Sequence, residues 1–141
     1  MSAMVDALRA VPLFSDLSNR DLKRLAGSMN ERTFAPGETV VSQGTGGVGF
    51  FVILEGRAKV TQDGETRGVL GPGDYFGEMA LIDGDDRAAS VDPDGELRCA
   101  AMTTWNFRPF VKEHPDVAWA LLTALVKRVR ESQARQAVAV D

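Results

Sequence analysis

From Thr33 to about Cys99 a glycine recurs every few residues, and short runs of β-branched and aromatic residues stand between the glycines. Each run is strand-length and each interruption is turn chemistry, so this part of the chain reads as a compact all-β roll or barrel. The expected strands are Thr39 to Ser42, Gly49 to Leu54, Arg57 to Thr61, Thr66 to Leu70, Ala88 to Val91 and Leu97 to Met102. Pro36-Gly37, Asp63-Gly64, Pro72-Gly73 and Asp94-Gly95 are the turn signals, and Asp63-Gly64 has the form of a two-residue hairpin turn.

Helical periodicity flanks the glycine-punctuated region on both sides. Val5, Leu8 and Arg9 share a short period that Val11-Pro12 interrupts. Ser18 is a good N-cap for a second helix, Asp21 stands near its positive end, and Leu22, Leu25, Ala26 and Met29 make its apolar face. Past Thr103, Phe107, Phe110 and Val111 share a face until Pro115 stops or kinks the helix. A longer helix begins around Asp116, with Ala118, Leu121, Leu122, Leu125 and Val129 as its stripe, and fraying is expected from Ser132 onward. Trp105 and Trp119 read as inward-packing core anchors. The expected organisation is one domain over residues 1–141: a helical segment 1–30, a β-roll 31–102 and C-terminal helices 103–136.

Composition narrows the chemistry. The formal net charge of -4 argues against a nucleic-acid binder that relies on a broad positive face, and Lys127, Arg128 and Arg130 are too few to overturn that. The apolar run Val117 to Val126 is much shorter than the ~20 residues of a membrane-spanning helix. The N-terminus lacks the basic-then-apolar order of a secretory signal, and a single cysteine cannot close an intramolecular disulfide, so a cytoplasmic setting is expected. Cys99 reads as a small buried hydrophobe. With one histidine, His114, before a proline and no cysteine near it, there is no set of ligands for a metal.

The informative stretch is Phe76 to Val91, FGEMALIDGDDRAASV. The turn Gly71-Pro72-Gly73-Asp74 leads towards a short helix expected at Gly77-Glu78, whose first backbone N–H groups have no intrahelical partners and form an anion cradle. Gly77 permits close approach of the backbone to a ligand. Arg87, followed by the small pair Ala88-Ala89, supplies a planar fork that takes two oxygens of a phosphate at once. A carboxylate is the wrong neighbour for a phosphate but a strong acceptor for a sugar hydroxyl, so Glu78 reads as a ribose hook. A phosphate cradle and a ribose acceptor without a catalytic base point to binding without turnover, and no cofactor is called for.

These residues resemble the cyclic-nucleotide-binding domain shared by regulatory subunits of cAMP-dependent protein kinase, the bacterial catabolite activator protein and cyclic-nucleotide-gated channels. The family cassette, Gly-Glu-x-Ala-Leu, a short spacer and Arg-x-Ala, is matched by Gly77-Glu78-Met79-Ala80-Leu81 and Arg87-Ala88-Ala89. An early strand pair with spaced glycines is matched by Val40 to Gly44, by Gly46-Gly47, by Phe50 to Ile53 and by Gly56. The resemblance extends through Pro12 to Ser18 and the closing helices. It implies a mainly β fold, an eight-stranded jelly-roll-like β-roll with N-terminal helices and two C-terminal helices, and a regulatory role rather than an enzymatic one.

The resemblance also implies that Glu78 bonds the ribose 2′-hydroxyl and that Arg87 holds the cyclic phosphate. The backbone amides of Gly77, Ala80 and Ala88 complete the cradle, with Phe76, Met79, Ala89 and Ser90 beside it. A lid residue over the purine comes from Trp119, Leu122 or Val126. Relatives that prefer cGMP commonly carry threonine or serine directly after the arginine; Ala88 stands there, which favours cAMP over cGMP. The chain departs from the family at Asp85-Asp86, where a proline or small neutral residue is common, and acids there can pair with Arg87. That departure supports an alternative, a module that keeps the fold for protein contact without nucleotide. Expected partners are a cyclic nucleotide, a downstream protein, and a second copy through the Leu122/Leu125/Val129 stripe, with neither nucleic acid nor membrane.

Overall fold

A computed structural model describes residues 3–41, 44, 49–77 and 89–140. The chain runs through α1 (Ala3–Arg9), a 3-10 turn (Pro12–Phe14), α2 (Asn19–Gly27), β1 (Asn30–Phe34), β2 (Gly49–Gln62), β3 (Glu65–Leu70), β4 (Tyr75–Phe76), β5 (Ser90–Thr103), α3 (Thr104–Glu113) and α4 (Pro115–Val140). The architecture is a mainly antiparallel sheet with flanking helices. Five strands stand among the described residues, where the resemblance implies eight.

The sheet order is β1-β5-β2-β3, with β4 also paired to β2. β2 is its spine. Along one edge it pairs antiparallel with β5 from Gly49↔Thr103 to Thr61↔Ser90. Its other edge is divided, with Phe51↔Phe76 and Val52↔Tyr75 to β4 and Ala58↔Leu70 to Gln62↔Glu65 with β3. The hairpin at Asp63-Gly64 has positive φ at both turn residues, 53° and 81°, which matches the right-handed twist of the strands it joins.

Two pairs of expected strands merge into single long ones. The runs Gly49 to Leu54 and Arg57 to Thr61 both lie within β2, and Ser90-Val91 of the run Ala88 to Val91 lies with Leu97 to Met102 within β5. Gly56 bends β2 instead of ending it: its φ is 88°, and a Cβ there would lie 2.3 Å from the Glu96 carbonyl oxygen. The ladder shifts register on either side of Glu55 and resumes at Arg57↔Asp94, so Asp94-Gly95 belongs to an irregularity inside β5, not to a connecting turn. Of the run Thr39 to Ser42, Val41 makes an isolated bridge to Val91, while Ser42 lies outside the described residues.

The continuous apolar run of β2 follows from burial on both faces. Phe50 and Val52 face a helical layer with Leu8, Phe14, Leu22, Leu25, Phe107, Val117 and Leu121. Phe51 and Ile53 face the inside of the roll with Phe34, Phe76, Val91, Leu97 and Cys99. Ring contacts tie each layer, Phe50 to Phe107 at 4.9 Å and Phe51 to Phe76 at 5.1 Å. Full burial of each such side chain contributes about 1.5–3 kcal/mol.

The helices follow their caps. The Ser18 hydroxyl accepts from the Asp21 backbone N–H at 3.1 Å and opens α2 as expected. α4 continues to Val140, beyond the expected fraying point at Ser132. Trp105 and Trp119 are 79% and 71% exposed, contrary to their reading as core anchors. Phe107 on α3, with Val117 and Leu121 on α4, occupies the buried face, and each tryptophan sits two residues from a buried position, on the opposite side. The expected α4 stripe divides likewise: Leu121 is buried while Leu122 and Val129 are 53% and 55% exposed. Among the described residues, no helix is long and apolar enough to cross a membrane.

Candidate functional site

The turn Gly71-Pro72-Gly73-Asp74 is fixed from both sides before the chain reaches the cassette. The Gly71 N–H donates to the Asp74 carboxylate at 2.8 Å and the Asp74 N–H to the Gly71 carbonyl at 3.0 Å. Gly73 donates to the Ile53 carbonyl at 2.9 Å, and Ile53 donates to the Asp74 carbonyl at 2.8 Å. The turn is thereby bound to the spine strand, and β4 follows directly from it.

Phe76 is buried and its ring lies 14° from parallel to that of Phe51. Gly77 follows with φ at 97°, a left-handed conformation that L side chains rarely adopt. The need for glycine here is thus conformational, in addition to any need for close approach. At the far end of the cassette Ala89 and Ser90 are half-buried, and Ser90 opens β5 opposite Thr61. Val91 is buried in the roll and is held by Val41, with the Val91 N–H donating to the Val41 carbonyl at 2.9 Å and the Val40 N–H donating to the Val91 carbonyl at 2.9 Å.

Of the sequence-derived site residues, Phe76, Gly77, Ala89 and Ser90 are described. Glu78, Met79, Ala80, Arg87 and Ala88 lie outside the described residues, as do Leu81, Asp85 and Asp86. The structure brings the two ends of the segment onto one strand, at Phe51 and at Thr61 of β2. Phe51 belongs to the early strand pattern, but neither that pattern nor the run Arg57 to Thr61 states which residues pair with the ends of the cassette.

Cys99 is buried inside the roll, and the loss of solvation pushes its thiol up to about 12. It stays a neutral hydrophobe at physiological pH. On the outer surface Arg98 of β5 bridges Glu55 of β2 at 2.9 Å and Glu31 of β1, and the two carboxylates hold the guanidinium further above its usual range. Among the described residues no group of three or more His, Cys, Asp or Glu side chains could hold a metal ion. The candidate lid residues Trp119, Leu122 and Val126 are all exposed on α4.

Comparison with known proteins agrees with this frame. The family described as the cyclic nucleotide-binding domain matches residues 31–114. The chain is 42% identical over 109 residues to a cAMP-dependent protein kinase regulatory subunit of Mycosarcoma maydis, a match covering 71% of this chain and 21% of the subunit. It is 40% identical over 95 residues to cGMP-dependent protein kinase, isozyme 1, of Drosophila melanogaster, covering 62% of this chain and 12% of the kinase. It superposes on the catabolite activator protein of Thermus thermophilus with a TM-score of 0.83 at 26% identity, covering 90% of this chain and 62% of that one. The chain thus spans a small part of the curated relatives it matches.

Proposed function

Because the chain belongs to the cyclic nucleotide-binding domain family, we propose that it binds a cyclic purine nucleotide, cAMP before cGMP, as a non-catalytic regulatory domain. One observation carries the reading. The run Gly77-Glu78-Met79-Ala80-Leu81 through Arg87-Ala88-Ala89 is flanked by Phe76 and Ser90, which pair with Phe51 and Thr61 of the same strand, β2. Arg87 and the amides of Gly77, Ala80 and Ala88 take the cyclic phosphate, and Glu78 accepts from the ribose 2′-hydroxyl. Sequence identity does not choose the base, since relatives named for cAMP and for cGMP match at 42% and 40%. Ala88 favours cAMP, because it offers no hydroxyl to a guanine amino group.

Ligand shifts the position of α4 by contacting its two arrangements differently, with Trp119, Leu122 or Val126 over the base in one of them. The exposed residues Trp119, Leu122, Val126 and Val129 follow a spacing of three, four and three along α4, the pattern of a seam that meets another helix. A downstream protein or a second copy of the chain receives the signal there.

Titration calorimetry with cAMP, cGMP and 2′-deoxy-cAMP tests the reading. The expected order is cAMP tightest, cGMP weaker, and the deoxy analogue weakened by loss of its hydroxyl, with no ligand consumed. The Asp85-Asp86 pair beside Arg87 favours one other reading, a module of the same fold that binds no nucleotide; it predicts no heat with any of the three.

A further inference from the structure

Three polar contacts join α2 and its C-cap Ser28 to the C-terminal helices, two of them at the elbow between α3 and α4 and one near the start of α3. The Asp21 carboxylate lies 3.8 Å from Nδ1 of His114, Arg24 lies 3.6 Å from Glu113, and the Ser28 carbonyl accepts from the Asn106 amide at 3.4 Å. His114 is the elbow itself. Its backbone N–H donates to Val111 of α3, and its carbonyl accepts from Val117 and Ala118 of α4 at 3.0 and 3.2 Å. Its ring packs against that of Phe110 with centroids 4.6 Å apart and the planes tilted by 41°, and its side chain is 12% exposed. The only histidine of the chain therefore stands at the joint between the two C-terminal helices, opposite a carboxylate from the N-terminal one.

We propose that the His114–Asp21 pair is a proton-operated latch that sets how tightly the α3–α4 elbow is held against α2. Histidine is the side chain that ordinarily changes charge between about pH 5 and 8. The imidazolium–carboxylate attraction exists only while the ring is protonated, so the latch tightens as the medium becomes more acid. The other charges on the elements meeting there are Arg20, Lys23 and Arg24 of α2, Arg108, Lys112 and Glu113 of α3, and Asp116 at the start of α4. The 3-10 turn Pro12–Phe14 brings none. Of the three contacts, the pair with Asp21 is the one that contains the histidine.

The test uses the full chain without nucleotide, so its failure leaves the nucleotide-binding reading untouched. Nitroxides are placed at Lys23→Cys on α2 and Lys127→Cys on α4; buried Cys99 does not compete for the label. Pulsed dipolar distances are then compared at pH 5.5 and pH 8. The latch predicts a docked-to-released ratio about two- to fivefold higher at pH 5.5, the span of a partly exposed ion pair, and no pH response in Asp21→Asn or His114→Gln. Distances independent of pH in the parent, or a pH response that survives Asp21→Asn, overturn it.

Discussion

Phe76 stacks on Phe51 at 5.1 Å with the rings 14° from parallel, one residue before the left-handed Gly77 and at the mouth of the proposed nucleotide cassette. The stack couples the start of the binding segment to the strand on which the rest of the sheet is built. Binding and stability accordingly meet at this pair.

Replacing Phe76 by alanine removes a buried ring and should cost about 3–5 kcal/mol of stability. It should also weaken nucleotide binding, because the cassette loses its first anchor. Phe76→Leu retains most of the burial and should retain most of both. Denaturant unfolding and calorimetric titration of the two variants check this.

Gly56 and Gly95 have nearly the same φ, 88° and 87°, but different surroundings. A Cβ at Gly56 would meet the Glu96 carbonyl oxygen at 2.3 Å, whereas nothing lies within 4 Å of one at Gly95. Gly95→Ala should cost only the left-handed strain of roughly 1–2 kcal/mol. Gly56→Ala carries that strain and a backbone clash, and should cost clearly more in thermal or denaturant unfolding. Equal losses would show that crowding at the bulge is not what requires glycine.

Burial raises the Cys99 thiol from 9.0 to about 12. The unfolded chain releases this proton from about pH 9 and the folded chain does not, so the folded form binds more protons between those values. Stability should therefore fall as pH rises from about 9 towards 12, by up to about 1.4 kcal/mol per pH unit from this group. Cys99→Ala should remove that component. A thiol-specific chromogenic reagent at pH 8 should react with the unfolded chain and leave the folded chain unmodified.

The parts of the fold legible in the sequence are those set by local chemistry. Ser18 with Asp21 marks the start of α2, Asp63-Gly64 marks a hairpin, and Pro115 marks the break between the C-terminal helices. The long strands were hidden because Gly56 and Asp94-Gly95 look like strand ends, and only their pairing across the bulge shows that β2 and β5 continue through it. The exposure of Trp119 is not legible because α4 carries two apolar faces, Val117 with Leu121 and Trp119 with Leu122, Val126 and Val129, and periodicity does not say which meets the sheet. At the site the relation is reversed. Glu78 and Arg87 are legible as motif residues, and Val41 and Phe51 belong to the early strand pattern, while the structure supplies the pairings of Phe51 with Phe76, Thr61 with Ser90 and Val41 with Val91 that no motif states.

Titration of the parent protein and of Arg87→Ala with cAMP by calorimetry tests the central claim most directly. The account predicts saturable one-site binding to the parent and a loss of roughly 2–5 kcal/mol, about 30-fold or more in affinity, in the variant. No binding to the parent, or an Arg87→Ala variant that titrates like it, would contradict the assignment of the cyclic phosphate to that guanidinium.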